Sequence, residues 1–442
     1  MSQQPNIVFI LADDLGWADL SVYGQTGYQT PHLDALAAQG VRFTQAYSNS
    51  AVCSATRFAL ITGRYQYRLR GGLEEPLVRA AHLHGLPPEH PTLPSLLRDA
   101  GYETALIGKW HLGSLPTFGP LKSGYQRFFG NYGGAIDYFT HKPGVGPQVP
   151  TDLYEGEVPV ERVGYYTQLL ADEASAWIGQ HSADKPFFLS LHFTAPHWPW
   201  VGPEDEEVSC SLSDIFHYDG GNLEVYSRMV RSLDSAVGQV LKALEEQGLG
   251  ENTIVVFSSD NGGERFAKTW PFTGQKTELL EGGIRVPTLL RWPARLRPQV
   301  SEQVTATMDW LPTLLAAAGV APDPDYPPDG ENILPVLEGR APVHPRKLFW
   351  RYKAQAQRAV RDGDWKYLKI NDNEFLFDVA LDTLERANLK DRHPELFARL
   401  RDEWQQWSEA FHPITDEIMT HGVTPDIQAD RYAPERAKRE RL

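Results

Sequence analysis

The sequence predicts an α/β protein, a mixed but mostly parallel sheet flanked by helices, with a small antiparallel sheet near the C-terminus. Two observations carry this expectation. Continuous apolar runs rich in β-branched and aromatic residues alternate with helical segments, the texture of strands buried on both faces. From Arg346 the alternation gives way to short runs parted by turn residues, the texture of a meander. The expected division is 1–340 as a main α/β domain, 341–412 as a C-terminal α+β subdomain, and 413–442 as a tail.

In chain order, Asn6–Ala12 reads as a buried strand that ends in Asp13-Asp14-Leu15-Gly16. A helix capped by Thr30, with Pro31 at its first position, stops at Gly40, and Val41-Arg42-Phe43 forms a short strand. Cys53 opens a helix with apolar Phe58 to Ile61, and Tyr65 to Pro91 follows as a long irregular loop. A helix capped by Thr92 ends at Gly101, and the strand Tyr102 to Gly108 leads into Lys109-Trp110-His111. Residues 114–160 show no clear periodicity and read as loop-rich covering structure. Tyr165 to His181 is helical, and Pro186 to Phe193 is a strand. The prolines Pro196 and Pro199 bracket His197 and are expected to hold its backbone extended.

Asn222 to Gln247 reads as a long amphipathic helix, and Thr253–Ser259 as a strand ending in Asp260-Asn261-Gly262-Gly263. Lys276 falls in the next loop. A glycine pair, Gly282-Gly283, leads to a strand from Val286 to Arg291, and Asp309 is expected to cap a helix ending at Gly319. Strands Leu348 to Tyr352, Gln357 to Arg361, Trp365 to Ile370 and Glu374 to Asp378 make the meander, closed by a helix from Pro394 to about Ala410.

The 42 basic residues against 57 acidic ones give a net charge of −15, which argues against nonspecific nucleic-acid binding and polybasic membrane attachment. Any anionic substrate must therefore meet a local cationic cluster. No apolar stretch approaches the roughly 20 residues that span a bilayer. No basic, apolar leader opens the chain, so a cytoplasmic location is expected. The two cysteines, Cys53 and Cys210, are expected as separate thiols.

The chemistry concentrates just past strand ends, where open α/β sheets gather their ligand sites. Adjacent Asp13 and Asp14 repel one another, and a cation between them relieves the conflict. With Asp260 and Asn261 they offer four side-chain oxygen donors, suited to Ca²⁺ or Mg²⁺, with a lean toward Ca²⁺. Cys53 sits at a helix N-terminus with Arg57 one turn on, a setting that favours a bound oxyanion.

Cys53-x-Ala55-x-Arg57 followed by Leu60-Ile61-Thr62-Gly63-Arg64 resembles the signature of the type I sulfatases, members of the alkaline phosphatase superfamily. Ala55 stands where that signature usually has proline. The resemblance covers about residues 5–390 in five ordered segments and implies an alkaline-phosphatase-like fold. It implies hydrolysis of sulfate monoesters, arylsulfatase type, by a metal-bound formylglycine hydrate formed from Cys53. It further implies that Asp13, Asp14, Asp260, Asn261 and the matured Cys53 bind the metal. Arg57, Lys109, His111, His197 and Lys276 then support the nucleophile, bind sulfate oxygens or protonate the leaving group, His197 or His111 being the expected acid with Lys276 assisting.

The implied partners are a small sulfated substrate and a formylglycine-generating maturation enzyme, with no nucleic acid or membrane, and the tail could mediate a homo-oligomer. A phosphodiesterase or phosphonate monoester hydrolase would reuse the same site, and an unmatured, noncatalytic metal-binding protein is the alternative of another class. Tyr65 to Pro91, Phe118 to Pro159 and Trp198 to Asp219 are the candidate specificity segments.

Overall fold

In the computed structural model, residues 4–422, 424, 428 and 429 are described. The rest of the expected tail lies outside the described residues. The main sheet contains β1 (Asn6–Ala12), β2 (Val41–Phe43), β4 (Glu103–Gly108), β5 (Arg127–Gly130), β6 (Tyr154–Glu155), β7 (Val158–Pro159), β8 (Phe187–His192), β9 (Thr253–Ser259), β10 (Thr288–Arg291) and β11 (Gln299–Ser301). Its order is β11-β2-β10-β9-β1-β8-β4-β5-β6-β7, and β3 (Ala46–Tyr47) pairs separately with β12 (Thr305–Ala306). From β9 through β5 the strands are parallel, while β10 and the β6–β7 hairpin run antiparallel.

The two-residue period of a strand divides β1 between two cores. Val8, Ile10 and Ala12 face the helices Pro31–Ala38, Tyr166–Ile178 and Leu223–Glu246. Ile7, Phe9 and Leu11 face Cys53–Thr62, Leu93–Asp99 and Trp310–Ala318. Burial on both faces explains why β1, β8 and β9 read as unbroken apolar runs.

The C-terminal sheet is an antiparallel meander of β13 (Lys347–Tyr352), β14 (Gln357–Asp362), β15 (Trp365–Ile370) and β16 (Asn373–Asp378). One face packs under the helix Pro394–Glu409 through Val360, Tyr367, Leu376, Leu400 and Trp404. Its other face, with Trp350, Tyr352, Ala359 and Leu368, packs on Val52, Ala55 and Ala59 around the helix that begins at Cys53. No helix among the described residues is long and apolar enough to cross a membrane.

Several local expectations are corrected. The region 114–160 contains β5, which extends the main sheet beside β4; a four-residue strand is too short to show periodicity. Thr92 caps its helix by accepting the Ser95 N–H at 3.1 Å, but Thr30 does not cap, its hydroxyl instead accepting from the Ser21 N–H at 2.9 Å. Asp309 accepts the Ala306 and Glu331 N–H groups and pairs with Arg346, so its side chain ties these segments together and closes the short turn Thr307–Asp309, but it does not cap the helix Trp310–Ala318. The backbone at His197 turns, its N–H donating to the Thr194 carbonyl at 2.9 Å, where the flanking prolines had suggested extension.

Candidate active site

The adjacent strands β9, β1, β8 and β4 each deliver polar residues from their carboxyl ends to one place. After β1 come Asp13 and Asp14; after β9, Asp260 and Asn261; after β4, Lys109 and His111; and the chain leaving β8 reaches His197. The helix Cys53–Thr62 adds Cys53 and Arg57, and the loop after β9 adds Lys276. All these side chains are buried. Ligating atoms of Asp13, Cys53 and Asp260 lie within 4.8 Å of one another, as do those of Asp13, Asp14 and His197.

The backbone is bent to achieve this. Asp14 and His111 hold left-handed conformations, φ 63° and 60°, which L-residues rarely adopt and which cluster at functional sites. Gly134 lets the chain pass the His111 ring, since a Cβ there would lie 2.5 Å from the imidazole. Gly262 is likewise pressed against the Gly282 carbonyl.

Three carboxylates and three cations interlock. Arg57 donates from Nε and Nη2 to Asp260 Oδ2, at 3.0 and 2.8 Å, and from Nη1 to the Lys109 carbonyl at 3.1 Å. Lys109 Nζ pairs with Asp13 Oδ2. Lys276 Nζ donates to Asp14 Oδ2 at 2.6 Å and lies 3.4 Å from Glu264 Oε2. Burial pushes the Asp13 carboxyl up, but Lys109, His197 and Arg57 outweigh it and hold the group below the usual range. For Asp260 burial and the Asp13 charge win, pushing its carboxyl up to about 7. Burial also opposes the charge on Lys276, yet Asp14 and Glu264 raise its pKa well above the ordinary lysine value.

The imidazoles are held by carbonyls. His197 Nδ1 lies 2.7 Å from the Trp198 carbonyl and His111 Nε2 lies 3.0 Å from the Leu77 carbonyl, so each of these nitrogens carries the proton. Burial lowers both pKa values, that of His197 to about 3. Burial also pushes the Cys53 thiol up to about 11.

Within this cluster, Oδ1 of Asp13 and Oδ1 of Asn261 are buried without a hydrogen-bond partner, while Asn261 Nδ2 donates to Asp14 Oδ1 at 2.7 Å. Unpaired buried oxygens call for an explanation. Beside Asp14 and Asp260, they fit a hard, oxygen-coordinated cation.

A cavity of about 530 Å³ opens above the cluster. Cys53, His111, His197 and Lys276 line it, whereas Arg57 and Lys109 lie beneath, turned toward the carboxylates. All three expected specificity segments contribute wall: Pro76, Leu77 and Val78; Tyr132 and Asp152; Trp198 and Phe216. Trp198 packs against His197 and Phe216, with centroids 4.1 and 4.5 Å apart, and donates Nε1–H to Glu264 at 3.2 Å. Trp200 is instead packed in the core.

Sequence reasoning missed several residues here. Glu264, immediately after the glycine pair that follows β9, was findable as a further carboxylate beside the metal segment. His192, at the end of β8, places Nδ1 3.4 Å from Arg57 Nη1. Met419 and His421 form part of the cavity wall from a segment whose pattern gives no sign of it.

Comparison with known proteins identifies the family. Residues 5–320 match the Sulfatase family model. N-acetylgalactosamine-6-sulfatase of Rattus norvegicus is 35% identical over 391 residues, covering 82% of this chain and 71% of the relative. N-acetylgalactosamine-6-O-sulfatase of Bacteroides thetaiotaomicron is 28% identical, covering 91% and 92%. The crystal structure of Ps i-CgsB in complex with k-i-k-neocarrahexaose superposes with a TM-score of 0.84 at 29% identity, covering 96% of both chains. The chain belongs to the sulfatase family, as a type I sulfatase of the alkaline phosphatase superfamily, and is a sulfuric ester hydrolase.

Proposed function

We propose that this protein hydrolyses sulfate monoesters with a formylglycine formed from Cys53 and a divalent cation, Ca²⁺ or Mg²⁺, held by Asp13, Asp14, Asp260, Asn261 and position 53. The observation that carries the reading is the gathering of Cys53, three carboxylates and three cationic side chains on the floor of one cavity. A thiol pushed up to about 11 is protonated and weakly nucleophilic at neutral pH, which supports conversion of Cys53 over direct use of the thiolate. Once converted by a maturation enzyme, position 53 supplies the hydroxyl of a hydrated aldehyde as nucleophile. A bound cation supplies Lewis-acid charge at the transferred group.

The chain's own residues divide the remaining work. Lys276 keeps its proton and faces the cavity, so it is placed to hold sulfate oxygens and to offer charge to the departing oxygen. Arg57 and Lys109 orient Asp260 and Asp13, keeping the carboxylates from turning away. His197 and His111 each spend one ring N–H on a carbonyl and leave the other nitrogen free to accept a proton. Asp13, Asp14, Asp260 and Glu264 against Arg57, Lys109 and Lys276 leave one formal negative charge, so a divalent cation would turn the cluster net positive toward a sulfate monoester.

Trp198 and Phe216 offer faces against which a sugar or aryl ring can lie. Together with the likeness to N-acetylgalactosamine-6-sulfatases, they support a sulfated amino sugar as the substrate, aryl sulfates serving as synthetic substrates. The test is a substrate panel on the purified protein: p-nitrophenyl sulfate and N-acetylgalactosamine 6-sulfate against bis(p-nitrophenyl) phosphate and a phenylphosphonate monoester. Higher kcat/KM for the sulfates is expected. Preference for either phosphorus ester would move the assignment to the phosphodiesterase or phosphonate hydrolase alternative.

A further inference from the structure

The loop that carries Lys276 is not held by the main sheet alone. Lys276 N–H donates to the Gly263 carbonyl at 3.0 Å, and the next residue, Thr277, is β-branched yet left-handed at φ 71°. Such a conformation persists only where the surroundings impose it. Two bonds do so. Thr277 N–H donates to the Ala51 carbonyl at 2.9 Å, in the approach to Cys53, and the Thr277 carbonyl accepts from Gln357 Nε2 at 2.9 Å. The Gln357 Oε1 accepts the Leu279 N–H at 2.8 Å.

Gln357 is buried at the start of β14, in the C-terminal sheet, 2% exposed. Its carboxamide thus bridges two successive points of the loop with one donor and one acceptor, while the same Nε2 also donates to the Ala354 carbonyl at 3.1 Å. A carboxylate lacks the donor, and an aliphatic chain lacks both. Its amide orientation follows from its partners, carbonyls at one end and an N–H at the other.

We infer that Gln357 is a positioning residue for Lys276: the C-terminal sheet fixes, through Thr277, where the lysine stands relative to position 53. This rests on the role given to Lys276 above. The far side of β14 supplies a control, because Val360 faces the helix Pro394–Glu409 and has no part in the loop.

The test is a double-mutant cycle on kcat/KM for p-nitrophenyl sulfate, run as single turnovers so that slow variants still give a rate. Gln357→Leu is expected to lower kcat/KM about tenfold in the wild-type background, the scale of a lost buried hydrogen-bond pair, and less than about twofold when Lys276 is already alanine. Val360→Ala is expected to lower the melting temperature with kcat/KM changed less than about twofold. Should Gln357→Leu not fold, Gln357→Glu takes its place in the cycle, keeping the acceptor for Leu279 and losing the donor to Thr277. Equal losses in both backgrounds, no loss in either, or the same loss from Val360→Ala would overturn the inference. A wild-type protein without sulfate-ester turnover would instead overturn the role of Lys276 itself, and the inference with it.

Discussion

Lys366→Met tests the junction between the two sheets. Lys366 lies on β15, fully buried, with Nζ 2.9 Å from Glu281 Oε1 and 2.9 Å from Glu385 Oε1. Glu281 also accepts from Tyr47 at 2.5 Å and pairs with Arg285 at 3.2 Å, while its N–H donates to Glu385 at 2.7 Å. Burial opposes the charge on Glu281, but Lys366 and the two arginines Arg285 and Arg361 hold its pKa at about 2. Burial dominates at Glu385 and pushes it up to about 7. Methionine keeps most of the stem and removes the charge, leaving two buried carboxylates with fewer partners. Breaking such a pair costs about 3–5 kcal/mol. With an unfolding entropy of about 2.1 cal/mol/K per residue, this is a fall in melting temperature of about 3–5 °C for a chain of this length.

The loss should shrink on acidification. A carboxyl whose folded pKa is raised binds its proton more tightly folded than unfolded, so its penalty grows as pH rises from the ordinary carboxylate value toward the folded one. Removing Lys366 raises Glu385 further, so the deficit should be largest near pH 8 and smaller near pH 5. Calorimetric melts of both proteins at the two pH values measure it. A deficit below about 1 °C, or one equal at both pH values, would refute the reasoning.

Further outcomes follow from other parts of the site. Glu75, pushed from 4.5 up to about 8 by burial, accepts from the Lys353 N–H and the Thr420 hydroxyl, both at 2.8 Å. Its contribution to stability is therefore lost progressively as pH rises from about 4.5 to about 8, and Glu75→Gln should flatten the melting temperature over that window. Trp198→Ala should raise KM for a sulfated sugar about 3–10-fold by removing one aromatic face, with a smaller change in kcat, seen in steady-state kinetics. Dialysis against EDTA should abolish turnover and lower the melting temperature, and Ca²⁺ or Mg²⁺ should restore both, since a cation that binds only the folded state stabilises it; unchanged activity after chelation would remove the cation from the account.

The strands of the main sheet that carry the site were legible because β1, β8 and β9 are buried on both faces and announce themselves as apolar runs. Their carboxyl ends then pointed to Asp13, Asp14, Asp260 and Asn261. Lys109, His111 and His197 depended on turns that periodicity does not encode, yet the structure brings all of them to the same cluster. Three features were not legible. The short β5 lies below the length at which alternation can be read. Gln357 is an unremarkable polar residue at a strand start until Thr277 is seen opposite it. Met419 and His421 reach the cavity because Glu74 and Glu75 bond their backbone, a contact between positions about 345 residues apart.

The central claim is that Cys53 works only after conversion to formylglycine. The most direct measurement is the mass of the Cys53 peptide from a preparation whose turnover of p-nitrophenyl sulfate is measured in parallel. Conversion lowers the peptide mass by about 18 Da, and the account predicts that turnover rises in proportion to the converted fraction and vanishes in Cys53→Ala. Full activity from a peptide that carries only the unmodified thiol would contradict it.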